Sequence, residues 1–129
     1  MIRWVWFEVE TALAIHAEQI EEHGGGEGIR DRALLESALA RPQQLAAYGE
    51  PDVYDLAAAY AFGVAKNHPF VDGNKRTAFV LAEAFLILHG ARLDADDASC
   101  VIETLRLAAG EHDADSFAAW LRAHGQPLA

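Results

Sequence analysis

The residues best suited to chemistry lie in one stretch, His68-Pro-Phe-Val-Asp-Gly-Asn-Lys-Arg-Thr-Ala78. It combines the imidazole of His68, the carboxylate of Asp72, a Gly-Asn pair and two adjacent cations. Long apolar runs with helical periodicity precede and follow it, so we expect these polar groups in a loop between two buried helices. Together they predict a site that binds phosphate.

The start of the second of these helices is the predicted anion-binding turn. Gly73 and Asn74 can form a turn with positive φ and leave backbone N–H groups free where the helix begins. Such N–H groups, together with the helix dipole, bind phosphate. Lys75 and Arg76 add two cations where the dipole disfavours them, so we expect an anion to compensate their charge.

Two further side chains could carry out a reaction beside this turn. Asp72 is a hard carboxylate suited to Mg²⁺, which usually lies between one or two carboxylates and the phosphates of a substrate. His68 is the side chain of the stretch that suits accepting a proton near neutral pH, a contribution of about 10²–10⁴-fold. Phosphoryl transfer needs a neutralised phosphate chain, a metal and a positioned hydroxyl, so these residues fit that reaction.

Other interpretations of the stretch remain open. Helix capping and solvated surface charge would explain any one of these side chains about as well as function does, but they explain six converging polar groups less well. A metal site made of His68 and Asp72 is disfavoured because Pro69 breaks the helical geometry that such a pair would share. The sequence also lacks Gly-Lys-Ser/Thr, which excludes a Walker-type phosphate loop.

The elements around the stretch are predicted to be helices. Apolar periodicity predicts helices from about 9 to 23, 53 to 67 and 74 to 89. A glycine cluster at 24–28 follows the first of them, and we interpret it as a flexible connection because no strand precedes it. His16 lies on an apolar stripe, which favours a hydrogen-bonded core histidine over a ligand. Phe70 is expected to anchor the loop in the core.

Three more helices complete the predicted bundle. Asp31 should cap a helix that ends near Leu39, because Pro42 pushes the residue before it out of helical geometry. Asp94 should cap the next, which runs to about Ala109. The inner face of that helix is predicted to consist of Val101, Ile102, Leu105 and Ala108. The last helix should begin at Asp113 or Asp115, with Phe117, Trp120 and Leu121 inward.

Composition restricts the class of protein further. A chain of 129 residues, 52% of them apolar, predicts a single all-α domain, residues 1–129, built from about six helices. A net charge of −10 excludes direct nucleic-acid binding as a main function and favours a basic partner. Cys100 stands alone, so no internal disulfide is possible. The longest apolar run, 79–88, is too short to span a membrane, and we expect a cytoplasmic protein.

The stretch from His68 to Ala78 closely resembles the signature of the Fic/Doc superfamily. With lysine at position 75, it is most similar to the death-on-curing (Doc) branch of toxins. The resemblance extends from about Val9 to Ala123. Segments on both sides support it, among them Leu34-Leu35-Glu36-Ser37-Ala38-Leu39 and Arg41-Pro42-Gln43. The loop motif is specific, whereas the flanking segments are supportive.

This resemblance implies a reaction. Fic enzymes transfer a nucleotide monophosphate, usually AMP from ATP, to a hydroxyl of a target protein. Their motif has glycine where this chain has Lys75 and a further arginine where it has Phe79. In Doc-type toxins this lysine occurs together with ATP bound in the reversed orientation. These toxins transfer the γ-phosphoryl group to a threonine of elongation factor Tu, which blocks translation. The resemblance therefore implies a protein kinase that uses ATP and Mg²⁺.

The resemblance also implies roles and partners. His68 would be the base for the target hydroxyl and Asp72 the Mg²⁺ ligand, while Gly73-Asn74 would form the anion-binding turn and Lys75-Arg76 would contact ATP phosphates. Doc-type toxins pair with a small antitoxin whose disordered tail folds over the toxin as a helix. Two alternatives remain, an AMP transferase and a catalytically inactive, peptide-binding member of the fold.

Overall fold

The computed structural model describes residues 3–129, so Met1 and Ile2 of the predicted domain lie outside the described residues. Within that range the chain forms six helices and two short strands. The helices are α1 (Val9–His23), α2 (Arg32–Tyr48), α3 (Val53–Asn67), α4 (Asn74–Leu88), α5 (Asp97–Ala108) and α6 (Ala114–His124). The strands are β1 (Ala91–Leu93) and β2 (Gly125–Pro127), which pair antiparallel. The predicted all-α bundle is confirmed, and this small sheet was not predicted.

Helix α3 is the centre of the molecule. It packs against α2, α4, α5 and α6, and α1 packs on α4. Its Ala-rich surface lets neighbouring backbones approach closely, and a Cβ atom at Gly63 would lie 3.0 Å from the Cα of Ala38 on α2. The two buried helices predicted on either side of the polar loop are confirmed as α3 and α4, which pack against each other.

Helix α2 continues well past the predicted end. Asp31 caps it as predicted, since its carboxylate accepts a hydrogen bond from Leu34 N at 3.1 Å. The helix nevertheless runs through Pro42 to Tyr48, so the predicted end near Leu39 is wrong. Pro42 is buried, as are Leu35, Ala38 and Leu39 on the packed face of the helix. Burial of this face against α3 outweighs the lost hydrogen bond and steric cost of an internal proline.

The start of α5 also differs from the prediction. Asp96, not Asp94, caps the helix, and its carboxylate accepts a hydrogen bond from Ser99 N at 2.7 Å. Asp94 instead follows strand β1, and its backbone N–H donates to His124 O at 2.8 Å. The backbone next to the paired strands thus uses the residue that the sequence pattern assigned to the helix cap.

The predicted inner face of α5 is wrong at three of its four positions, since Ala108 alone of the four packs, partly buried, against the core. Thr104 and Leu107 are the buried residues of this helix. Three predicted core residues are about half exposed: Val101 at 58%, Ile102 at 55% and Leu105 at 47%. An apolar stripe of α5 therefore faces outward, away from the core.

The amino-terminal aromatic residues and helix α6 both pack on the bundle. Trp4 and Trp6 both stack on Phe85, with ring centroids 6.1 Å apart in each pair. Asp113 caps α6, on which Phe117 and Leu121 are buried. None of the helices in residues 3–129 is long and apolar enough to cross a lipid bilayer.

Candidate active site

The active-site loop, residues 68–73, joins α3 to α4. Helix α3 ends at Asn67, and His68 follows in the left-handed conformation with φ 48° and ψ 55°. It is the only non-glycine residue of positive φ in residues 3–129. Because Pro69 disfavours a right-handed helical residue before it, the chain turns here and presents the exposed imidazole of His68 at the helix end.

A stacked pair of rings anchors the loop. Phe70 is 1% exposed, and its ring lies 3.8 Å from that of His16, centroid to centroid, at an interplanar angle of 3°. His16 Nε2 donates to the carbonyl oxygen of Asp72 at 2.8 Å. Both predictions hold, since Phe70 is an anchor and His16 is a hydrogen-bonded core histidine. The pair fixes the backbone that carries Asp72.

Backbone donors hold the carboxylate of Asp72. Gly73 N donates to Oδ1 at 2.8 Å and Gly26 N donates to Oδ2 at 3.2 Å. These hydrogen bonds, that of Gly73 first, lower the pKa of Asp72, and the charge of Arg76 acts in the same direction. The group is therefore an ionised, oriented carboxylate with lone pairs to spare for a hard cation.

The first turn of α4 leaves its donors open. Gly73 is the N-cap residue with φ 74°, and no side chain caps the helix. The N–H of Thr77 donates to Gly73 O at 3.0 Å, whereas within residues 3–129 no hydrogen bond joins the N–H groups of residues 74–76 to an acceptor outside the helix. The N–H groups of residues 74–76 therefore point out of the helix without an intrahelical partner, which is the arrangement that binds anions.

Asn74 has a second role that the sequence did not predict. Its Oδ1 accepts from Phe70 N and its Nδ2 donates to Phe70 O, each at 3.0 Å. Nδ2 also lies 3.4 Å from His68 Nδ1. The buried amide thus closes the loop and supports the imidazole, and only the backbone N–H of Asn74 remains for an anion.

The glycine cluster after α1 is part of this site. Besides the bond from Gly26, Gly28 O accepts from Val71 N at 3.1 Å, and Gly24 O accepts from an Arg76 Nη at 3.3 Å. A Cβ atom at Gly25 would lie 2.7 Å from Asp72 Oδ2. The prediction that residues 24–28 form only a flexible connection is therefore incomplete. This segment packs along the active-site loop, and a side chain at Gly25 would collide with Asp72.

A cleft of about 680 Å³ brings all the predicted site residues together. Its floor is the loop and the start of α4, and its far wall is the exposed stripe of α5. The residues that line it include His68, Asp72, Gly73, Asn74, Lys75, Arg76, Phe79, Val80, Asp97, Cys100, Val101, Thr104 and Leu105. One side of the cleft is thus cationic and rich in N–H donors, and the other is largely apolar.

The donor set limits how a metal ion could bind. Residues 3–129 contain no group of three or more His, Cys, Asp or Glu side chains placed to hold a metal ion. A single oriented carboxylate at the edge of an anion site is nevertheless what Mg²⁺ uses when phosphate oxygens and water supply the other ligands. The residues present therefore fit Mg²⁺ bound together with a nucleotide, not alone.

Known proteins resemble the chain over most of its length. A sequence model of the Fic/DOC family matches residues 6–86, which include the whole active-site loop. "Toxin Doc" of Mycolicibacterium smegmatis is 44% identical over 103 residues, which cover 76% of this chain and 78% of the relative. "Protein kinase doc" of Escherichia phage P1 is 34% identical over 114 residues, which cover 88% of this chain and 90% of the relative.

Proposed function

The chain belongs to the Fic/Doc family, and we propose that it is a Doc-type toxin that transfers the γ-phosphoryl group of ATP to a hydroxyl of a target protein. The names of the two relatives, one a toxin and one a protein kinase, support this proposal. The observation that carries it is that His68, Asp72 and the uncapped start of α4 face one cleft.

His68 is the proposed general base. Its imidazole lines the cleft, supported by the Asn74 amide 3.4 Å away. It would take the proton of the incoming hydroxyl as that oxygen bonds to the γ-phosphorus and ADP leaves. A base positioned in this way is worth about 10²–10⁴-fold in rate.

The start of α4 is the proposed site of the terminal phosphates. The open N–H groups of residues 74–76 and the dipole of the fifteen-residue helix favour an anion there. Lys75 and Arg76 add two cations at the same place, and both line the cleft. These groups would neutralise the charge that develops on the transferred group.

Asp72 is the proposed protein ligand for Mg²⁺. The ion would supply charge neutralisation to the phosphates when ATP is bound. The role of the protein is to keep the carboxylate ionised and aimed, which the hydrogen bonds from Gly73 and Gly26 accomplish. Nucleotide and metal would therefore bind together.

Two residues favour γ-phosphoryl transfer over AMP transfer. Lys75 lines the cleft beside the Gly73 turn, where its side chain occupies space that a glycine would leave to the α and β phosphates. Phe79 lines the cleft one turn further along α4 and offers an aromatic ring where a phosphate-binding guanidinium would be needed. The lysine thus fills space, and the phenylalanine lacks a donor, that the AMP-transfer orientation uses.

We infer two protein partners. The proposed substrate is a threonine of elongation factor Tu, which would place the toxin in the cytoplasm and make translation its target. The second partner is a cognate antitoxin whose tail folds as a helix over the cleft. The apolar stripe of Val101 and Leu105 beside the cleft supports this, because an amphipathic helix needs such a surface. The net charge of −10 favours a tail with basic residues.

Labelled nucleotide tests the proposal. Purified protein is incubated with elongation factor Tu, Mg²⁺ and ATP labelled at either the α or the γ phosphate. Label from the γ position alone is expected on the target, and His68→Ala should abolish it. Label from the α position would instead show an AMP transferase. Transfer that is unchanged in His68→Ala would exclude the proposed base.

A further inference from the structure

The side chain of Arg30 binds the backbone at the end of α3. Its Nε donates to His68 O at 2.7 Å and one Nη donates to Asn67 O at 2.9 Å. The backbone N–H groups of Arg30 and Asp31 both donate to Pro69 O, at 2.7 and 3.0 Å. Three consecutive carbonyl oxygens, those of residues 67–69, are thus bound from one short segment.

These carbonyls belong to the most strained part of the backbone. The left-handed conformation of His68 costs about 1–2 kcal/mol for a residue with a Cβ atom, so other contacts must maintain it. Carbonyls at a helix C-terminus carry partial negative charge and lack intrahelical donors. A guanidinium that donates to two of them supplies both the missing hydrogen bonds and the complementary charge.

Arg30 has no other evident function. No carboxylate of residues 3–129 lies within ion-pair distance of it, although Arg32 nearby pairs with Glu10 and Glu36. The side chain of Arg30 also lies outside the lining of the cleft. It therefore reaches the site through the backbone of His68 and does not line the space where a substrate would bind.

We propose that Arg30 is a positioning residue that holds the imidazole of His68 in its reactive place, an inference that rests on the proposed function. Loss of the two hydrogen bonds frees the peptide between residues 67 and 69 to leave the left-handed conformation. The imidazole then moves relative to the start of α4, where the phosphates would bind. A displacement of about 1 Å in a reacting group can cost ~10²-fold in rate.

Kinetics of matched variants test this inference. Arg30→Gln is expected to lower kcat for γ-phosphoryl transfer by about 10–100-fold and to leave the KM for ATP unchanged. Arg32→Gln, which removes an exposed arginine two positions away, should leave both constants at the wild-type values. Methylguanidinium added to Arg30→Ala should restore kcat several-fold, because it can donate to the same two carbonyls.

Hydrogen exchange provides a readout that needs no activity. The amides of residues 67–71 should exchange about tenfold faster in Arg30→Gln and at the wild-type rate in Arg32→Gln. Arg30→Lys replaces Arg30→Gln if the latter does not fold. Wild-type kcat, a raised KM for ATP or unchanged exchange in the Arg30 variant would overturn the inference. Absence of transfer by the wild type would remove the proposed function, and exchange would still decide whether Arg30 holds His68.

Discussion

At the scale of single residues, the carboxylates of Asp72 and Glu83 lie in opposite electrostatic surroundings. Backbone N–H groups of Gly73 and Gly26 lower the pKa of Asp72. Burial, and then the charge of Asp97, raises the pKa of Glu83 on α4. The surroundings of Asp72 therefore favour the ionised carboxylate, and those of Glu83 favour the neutral acid.

Asp72→Asn should therefore lose both activity and stability. Removing the proposed metal ligand is expected to lower phosphoryl transfer by about 100-fold, since a metal contributes several kcal/mol to such a transition state. Because the folded pKa is lowered, the carboxylate stabilises the fold above its unfolded pKa, and this contribution disappears as pH falls through the folded pKa. The melting temperature of the variant should lie below wild type at pH 7 and converge with it in acid. Asp94→Asn, outside the cleft, is the control.

Glu83→Gln should have the opposite effect on stability. A raised folded pKa means that ionisation of Glu83 disfavours the fold as pH rises past its unfolded pKa. The variant should melt about 1–4 °C above wild type at pH 7. Below pH ~4, where wild-type Glu83 is protonated in both states, the two melting curves should coincide. A variant that melts lower at pH 7 would show that the charge of Glu83 is compensated.

Sequence reasoning found the residues of the loop but not all the residues that hold them. His68, Asp72 and Lys75 stand next to one another in the chain, so their convergence could be predicted from spacing. The contributions of Gly26 and Arg30 depend on contacts across about forty positions of sequence, which no local pattern encodes. The backbone of Asn74 was predicted to form the anion-binding turn, but the role of its side-chain amide in closing the loop was not predicted.

At the scale of helices, periodicity predicted the elements that are buried along one clear face. It placed α1, α3 and α4 correctly because each has a long apolar pattern and a clear break after it. It gave the wrong end for α2 at Pro42. The helix continues past the proline because its burial against α3 stabilises it, and local sequence propensity does not include that burial. It also failed on α5, whose apolar stripe was taken as core although it faces the cleft.

The contact between α2 and α3 gives a direct stability test. Gly63→Ala places a methyl group 3.0 Å from both the Cα and the Cβ of Ala38, and 3.1 Å from its carbonyl oxygen. Overpacking should exceed the gain in helix propensity, with a net loss of about 1–2 kcal/mol in the free energy of unfolding. Chemical denaturation measures this change in the free energy of unfolding. Adding Ala38→Gly should recover part of the loss, and an unchanged or raised stability would show that the helices move apart freely.

At the scale of the whole molecule, one face of the bundle combines an anion site with an exposed apolar wall. The core lies around α3, whereas Val101 and Leu105 of α5 remain exposed beside His68 and Lys75. Exposed apolar surface next to a polar site indicates a protein-binding face. The proposed antitoxin tail would therefore cover the nucleotide site and the apolar wall at once.

A charge in the wall should weaken the antitoxin complex. Val101→Asp is expected to raise the Kd for the cognate antitoxin about tenfold or more, because it buries an unpaired carboxylate in the interface. Val5→Asp is the matched control, since Val5 is 52% exposed and Val101 58%, and Val5 lies outside the cleft. Calorimetric titration of both variants measures the difference. Equal affinities would place the antitoxin elsewhere.

The central claim is that the terminal phosphate of ATP binds at the start of α4 beside the imidazole of His68. A crystal structure of the His68→Ala protein with ATP and Mg²⁺ tests it most directly, because we expect this variant to leave the nucleotide intact. We expect the γ-phosphate within hydrogen-bonding distance of the N–H groups of residues 74–76, with Asp72 on the metal. An α-phosphate in that position, or a nucleotide bound outside the cleft, would contradict the account.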